Sequence, residues 1–116
     1  MSRTRSDILR LHDILDAIAA IHRHPVVGRN EYEQDEVLRF FYLKQIEIVG
    51  EATFKLSPSF KSSHPAPPWD KIAKTRHILV HDYFDVDWDI VWDILINHLE
   101  SFRLQVQSIV DTEGAM

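Results

Sequence analysis

Residues 31–56 read EYEQDEVLRFFYLKQIEIVGEATFKL, and they carry the strongest helical pattern in the chain. Apolar side chains recur at helical spacing on two adjoining faces, and no proline interrupts them. The two faces carry Val37, Phe41, Ile48 and Ala52, and Leu38, Tyr42, Ile46 and Val49. A surface this broad needs two neighbours, so the pattern predicts a long helix inside a bundle, starting near Glu31 or Asp35. Gly50 within a helix costs about 1 kcal/mol relative to alanine, and it predicts close approach of another backbone.

Three further helices are predicted around this one. Residues 7–22 carry an apolar stripe at helical spacing, with Ser6 as the expected N-cap. Residues 57–68 hold four prolines and four serines and exclude a long helix. A third helix is expected from Pro68 or Trp69 to residues 81–83, and a last one from Asp85 or Asp87 to about residue 111. Because no period-two alternation is long enough for a strand, we predict an all-α, four-helix up-and-down bundle.

The size and composition are those of one soluble globular unit. The chain has 116 residues, of which 45% are apolar and 27% charged, so we expect a single domain over residues 1–116. No apolar run approaches the ~20 residues of a membrane span, and residues 1–7 lack the apolar stretch of a secretory signal. A cytoplasmic protein is therefore expected. The absence of cysteine excludes disulfides, thiolate zinc sites and cysteine nucleophiles.

Charge is distributed unevenly along the chain. The net charge of −5 is unfavourable for binding nucleic acid, but residues 52–81 hold five basic residues and one acidic residue. This basic region carries +4 and the remainder −9. The lysines could simply be solvated surface residues. If the region binds RNA, Lys71 and Lys74 are candidate contacts.

Arg76 and His81 are the candidate reactive residues, and Tyr83 follows two positions later. A guanidinium binds phosphate bidentately, and an imidazole can move protons near neutral pH. RNA supplies its own nucleophile in the 2′-hydroxyl, so this pair can cleave RNA without a metal ion. On an unbroken helix, five residues turn by ~140°, so unwinding near His81 or a second copy of the segment would have to bring the pair together. The same residues also fit a surface arginine near a histidine that is hydrogen-bonded at a helix end.

Residues 68–84, PWDKIAKTRHILVHDYF, resemble the signature region of the HepT-like family within the HEPN superfamily. The core pattern is Arg76, a polar residue, three further residues, His81, any residue and Tyr83. Residues 46–52, IEIVGEA, resemble the block on the second long helix of these proteins, and residues 86–92, VDWDIVW, resemble the start of their last helix. The resemblance extends over nearly the whole chain.

The resemblance implies a dimeric all-α bundle in which two Arg–His motifs share a cleft. Members of the family are metal-independent ribonucleases that act as toxins and are paired with a minimal nucleotidyltransferase antitoxin, which transfers AMP to the motif tyrosine. On this chain Arg76 would bind the scissile phosphate, His81 would act as general acid or base, and Tyr83 would accept AMP. His77 would be the accessory polar residue, although asparagine or aspartate is common there in the family.

Two other functions are compatible with these residues. The chain could be a non-catalytic nucleotide-binding or scaffold subunit that serves mainly as partner and substrate of the nucleotidyltransferase. It could also be a purely structural helical dimer. Detectable RNA cleavage distinguishes the first hypothesis from both.

Aromatic and acidic residues offer further alternatives. The three tryptophans could stack on bases, but we favour packing or a dimer contact for Trp88 and Trp92, with Trp69 open between the two interpretations. The aspartates of residues 82–93 lack the glycine and glutamate of a calcium loop, so we expect helix capping and solvation from them. Neither a metal site nor a cofactor is predicted.

Overall fold

The computed structural model of this chain describes residues 2–25, 28–77 and 86–113, with side chains from residue 6 onward. Every regular element in these residues is helical, which confirms the all-α fold. The elements are α1 (Ser2–His22), α2 (Arg29–Gln34), α3 (Glu36–Phe54), α4 (Pro58–Ser63), α5 (Trp69–Ala73) with a 3₁₀ turn (Lys74–Arg76), α6 (Trp88–Asp93) with a π-helical turn (Ile94–His98), and α7 (Leu99–Glu113).

The core lies between α1, α3 and the last helical segment. Its largest fully buried side chains come from all three, and they include Leu11, Ile14, Ile18, Tyr42, Ile46, Val49, Phe102 and Val106. Most of the predicted apolar faces of the central stretch therefore pack against the core, but Val37 is 82% exposed, so its predicted place on a packed face is wrong. Among the residues that the structure describes, no helix combines the length and the apolar character that a membrane span requires.

Asp35 decides where the central helix begins. Its backbone N–H bonds to the Glu31 carbonyl and ends α2, while its carboxylate accepts a 2.9 Å hydrogen bond from the Leu38 backbone N–H and caps α3. Aspartate favours this position because its short side chain reaches an N–H that the helix leaves free. The later of the two predicted start points is thus confirmed, and residues 29–34 form a separate short helix.

The start of α1 differs from the prediction, and Asp7 lies buried inside the helix. The helix already begins at Ser2, so the predicted N-cap at Ser6 is wrong. Asp7 is instead buried, and its carboxylate accepts hydrogen bonds from the backbone N–H and the hydroxyl of Ser57, at 2.8 and 2.6 Å. These bonds fasten α1 to the start of α4, a contact between residues 50 positions apart.

The proline-rich segment contains one short helix, and a buried tryptophan follows it. Ser57 caps α4 through a 3.3 Å bond from the Phe60 backbone N–H, and Pro58 occupies the first turn, where a missing N–H does no harm. Trp69 is only 5% exposed, its Nε1–H donates to the His64 carbonyl at 2.7 Å, and its ring packs edge-on against Phe102. Trp69 is therefore a core residue and not a platform for bases.

The last helical segment begins where the sequence indicated. The Asp87 carboxylate accepts hydrogen bonds from the backbone N–H groups of Asp89 and Ile90, which confirms its expected role as a cap. Asp93 further along accepts from Asn97 and His98 at 2.7 and 3.0 Å across the π-helical turn. These bonds hold the pKa of the Asp93 carboxyl below its usual value, since they favour the charged form.

The Tyr32 phenol links α2 to the start of α6 and should make the fold sensitive to alkali. It is buried, donates to the Trp88 carbonyl at 2.7 Å, and its burial raises the pKa from 10.0 to about 12. The folded state therefore favours the neutral phenol, and this contribution to stability is present below pH 10 and lost as the pH rises towards 12. We expect Tyr32→Phe to be less stable than the unmodified chain at neutral pH, by about 1 kcal/mol for the lost hydrogen bond.

Urea unfolding between pH 8 and 11 measures this effect, with wild type and Tyr32→Phe compared at each pH. The difference in unfolding free energy should shrink as the pH approaches the upper limit, because only wild type must keep a phenol neutral. A constant difference across the range would show that Tyr32 does not titrate with unfolding.

Candidate active site

The structure describes four of the six predicted site residues. Lys71 lies in α5, Lys74 and Arg76 lie in the 3₁₀ turn, and His77 follows directly. The helix predicted from Pro68 or Trp69 to residues 81–83 is thus not α-helical at 74–76, where the Thr75 hydroxyl donates to the Ile72 carbonyl at 2.6 Å and the turn tightens. His81 and Tyr83 lie outside the described residues, so their predicted roles stay predictions.

Arg76 is held against the end of α3 by an aromatic ring and a carboxylate. Its guanidinium carbon lies 3.7 Å from the centroid of the Phe54 ring, and its Nη1 lies 3.6 Å from Oε1 of Glu51. A cation over an aromatic face is attracted to the ring, and a planar guanidinium suits this contact better than an ammonium would. The two contacts fix both the plane and the direction of the group.

The burial of Arg76 is intermediate, so part of its side chain stays open to solvent. Its side chain is 23% exposed, while Phe54 beside it is 51% exposed. The Nε of Arg76 is buried and has no hydrogen-bond partner within the described part of the chain. Since a guanidinium carries five N–H donors, the ion pair with Glu51 leaves terminal donors for an anion arriving from solvent.

Gly50 brings α3 into contact with the backbone that carries Arg76. A methyl group at Gly50 would lie 2.7 Å from Oγ1 of Thr75 and 3.0 Å from the backbone nitrogen of Arg76. Real carbon atoms essentially never approach this closely, so any other residue would displace the 3₁₀ turn. The predicted close approach of a second backbone at Gly50 is confirmed, and its location is the candidate active site.

Arg76 lines a shallow depression of about 240 Å³. Its lining residues are Phe54, Lys61, Asp70, Ala73, Lys74, Arg76 and His77. Three of these are cationic and one is anionic, so the depression carries net positive charge on a chain whose total is −5. The arrangement suits a phosphate that is bound from one side and open to solvent on the other.

Glu51, Phe54 and Lys61 were not predicted as site residues. Glu51 and Phe54 both follow Gly50, the glycine whose close contact was expected, at one and four residues further along α3. The spacing of four residues puts Phe54 on the helix face of Gly50, and it is the signal that could have found this ring, whereas no such signal indicates Glu51. Lys61 reaches the depression only because α4 folds back beside α5, which the sequence pattern does not indicate.

Comparison with known proteins finds relatives over most of the chain. The family model described as ribonuclease HepT-like matches residues 14–109. A protein of Thermococcus cleftensis named "Probable ribonuclease HepT" is 31% identical over 104 residues, which cover 89% of this chain and 93% of the relative. A protein of Caldanaerobacter subterraneus subsp. tengcongensis named "Putative RNase TTE0752" is 29% identical over 102 residues, covering 88% of this chain and 91% of the relative.

A third relative, from Methanocaldococcus jannaschii and named "Putative RNase MJ0127", is 31% identical over 86 residues, covering 73% of this chain and 71% of the relative. No solved structure matches the chain. The family model includes α3, the 3₁₀ turn with Arg76 and most of α7, and therefore the whole described part of the candidate site. On this evidence the chain belongs to the ribonuclease HepT-like family.

Proposed function

We propose that this protein is a metal-independent endoribonuclease whose catalytic residues are Arg76 and His81. The observation that supports this most directly is the fixed guanidinium of Arg76, stacked on Phe54 and paired with Glu51 in a positively charged depression. Such a preorganised cation stabilises the charge that develops on a phosphate during cleavage. The names of the curated relatives point to the same activity.

The chemistry needs only groups that the chain and RNA supply. The 2′-oxygen of the ribose attacks the adjacent phosphorus, and the bond from phosphorus to the 5′-oxygen of the next nucleotide breaks. One proton leaves the 2′-hydroxyl and one is delivered to the departing 5′-oxygen. His81 is the group we assign to proton transfer, Arg76 binds the phosphate throughout, and His77 assists as the accessory polar residue.

We propose that the active form is a homodimer. The described depression is open on one side and the motif continues through His81 outside the described residues, so a second copy can cover the site and contribute its own motif. The two copies would then share a single cleft into which both Arg76 side chains project.

We also propose that the protein is the toxin of a toxin–antitoxin pair and that a minimal nucleotidyltransferase neutralises it. Transfer of AMP to Tyr83 would place an anionic phosphodiester seven residues after Arg76 in the chain. A phosphate there can pair with the guanidinium and occupy the space that RNA needs. Tyr83→Phe should then prevent neutralisation and leave cleavage unchanged.

Cleavage in the presence of a chelator tests the proposed activity. We expect purified protein without its antitoxin to cut single-stranded RNA in EDTA, to leave DNA of the same sequence intact, and to leave RNA with 2′-O-methyl groups intact. Both controls remove the 2′-hydroxyl nucleophile. Loss of cleavage in EDTA, or equal cutting of DNA, would contradict the proposed chemistry.

The same preparation distinguishes the main alternative. A protein that accepts AMP from the nucleotidyltransferase, as shown by mass spectrometry, but cuts no RNA in its unmodified form would be the non-catalytic subunit. A protein that shows neither reaction would be the structural dimer.

A further inference from the structure

A second groove joins the catalytic depression and leads away from it. Lys61 and Asp70 line both, so the two surfaces adjoin one another. The groove has a volume of about 720 Å³, three times that of the depression, and runs between α4 and α5. Its other lining residues are Pro58, Ser62, Pro65, Pro67, Pro68, Trp69 and Lys71.

Three lysines along this surface are available to an incoming anion. Lys61, Lys71 and Lys74 form no ion pair within residues 6–25, 28–77 and 86–113, whereas Lys44 on the outer face of α3 pairs with Glu47 at 3.6 Å. Asp70 lines the same surface, and the charge of Lys71 also helps to lower the pKa of the Asp93 carboxyl. With Arg76, four cations and one anion line the two surfaces, which together are therefore positively charged.

The walls of the groove are fixed before any ligand arrives. Four prolines restrict the backbone of this segment, and α4, which carries Lys61, is fastened to α1 through Ser57 and the buried Asp7. A preformed groove loses little conformational entropy when a strand binds in it. Because Trp69 is buried, the groove offers phosphate contacts and few stacking contacts at its floor.

We propose that single-stranded RNA extends from the cleavage site along this groove, with Lys61 binding the first phosphate beyond the scissile one and Lys71 binding a further phosphate. The inference rests on the proposed function in taking RNA as the ligand, and it adds the direction in which the strand leaves the site. Since the phosphate contacts carry no sequence information, the groove sets the length of RNA that is recognised and not its sequence.

Binding of uncleavable RNA tests the proposal independently of cleavage. The probes are 2′-O-methyl oligouridylates of three and ten nucleotides, and their affinities are measured by fluorescence anisotropy at several salt concentrations. We expect the ten-mer to bind the wild-type protein at least about ten-fold more tightly than the trimer, because only the ten-mer reaches the groove. Lys61→Ala should weaken binding of the ten-mer about five-fold and flatten the slope of log affinity against log salt by ~0.7, the value for one phosphate contact on a single strand.

Lys44→Ala is the matched control, since it removes one exposed lysine on the same molecule at a site outside the groove. Circular dichroism confirms that both variants keep the helical content of wild type. Equal effects of Lys61→Ala and Lys44→Ala, or equal affinities for the two lengths of RNA, would overturn the proposal. If the protein binds the ten-mer tightly but cuts no unmodified RNA, RNA binding in the groove is supported and the proposed ribonuclease activity is contradicted.

Discussion

Replacing Arg76 with alanine is expected to reduce the rate of RNA cleavage by about 1,000-fold, the upper end of what one charge-stabilising donor contributes in other enzymes. The guanidinium is the one described group that combines permanent charge with a fixed position in the depression, held by the Phe54 ring and Glu51. Its removal leaves the phosphate bound only by lysines on flexible stems. The measurement is the single-turnover rate on a defined RNA oligonucleotide in EDTA.

Arg76→Lys separates charge from geometry. Lysine keeps one positive charge but cannot bind phosphate with two parallel donors and stacks less well on a ring. We therefore expect a loss of about 100-fold, an ordinary value for one misplaced donor. A lysine variant with nearly full activity would show that only charge matters and that the Phe54 contact has no catalytic consequence.

Arg10→Ala provides the control for these variants. Arg10 is a half-exposed arginine that lies 3.9 Å from Asp13 on α1 and does not line the depression. We expect the Arg10→Ala protein to cleave RNA at the rate of the wild-type protein. If Arg76→Ala and Arg10→Ala cleave equally well, Arg76 has no part in the reaction and the enzymatic interpretation fails.

The sequence predicts the elements whose signals are local. Helical periodicity found most of the apolar surface of α3 and placed its start near Glu31 or Asp35. The capping preference of aspartate placed the start of the last helix at Asp85 or Asp87, and the caps are Asp35 and Asp87. Gly50 was conspicuous because a glycine inside a helix needs a reason, and the reason is its contact with Thr75 and Arg76. In each case the residue type, or its spacing within one helix, is enough to predict the local structure.

The sequence does not predict contacts that depend on how distant segments meet. The hydrogen bonds that Ser57 donates to Asp7 join residues 50 positions apart, and no residue pattern predicts them. The early start of α1 at Ser2 is not indicated by the sequence either. The ring of Phe54 and the ammonium of Lys61 likewise become site groups only after α3, α4 and α5 are packed. The resemblance supplied Arg76 and His81, but the structure alone shows what holds Arg76.

Changing Gly50 to alanine is the sharpest test of that support, because the new methyl group presses on the turn that carries Arg76 and removes no charged or hydrogen-bonding group from the site. Within a helix the change alone would stabilise the fold by about 1 kcal/mol. Here the methyl would lie 2.7 Å from Oγ1 of Thr75 and 3.0 Å from the backbone nitrogen of Arg76, and a backbone atom cannot rotate away. Overpacking of this kind costs about 1–3 kcal/mol, which offsets or exceeds that gain. We therefore expect the free energy of unfolding of Gly50→Ala to equal that of wild type or to be lower.

Cleavage should fall further than stability does. A shift of about 1 Å in the 3₁₀ turn moves the guanidinium away from the phosphate, and misplacement on that scale can reduce a rate by up to about 100-fold. We therefore expect Gly50→Ala to lose at least about ten-fold in single-turnover rate while remaining folded at the assay temperature. Gly28→Ala is the matched control, since a methyl group at Gly28 meets nothing within 4 Å. A Gly50→Ala protein that is both more stable and fully active would mean that the turn shifts freely, and that contact with α3 does not position Arg76.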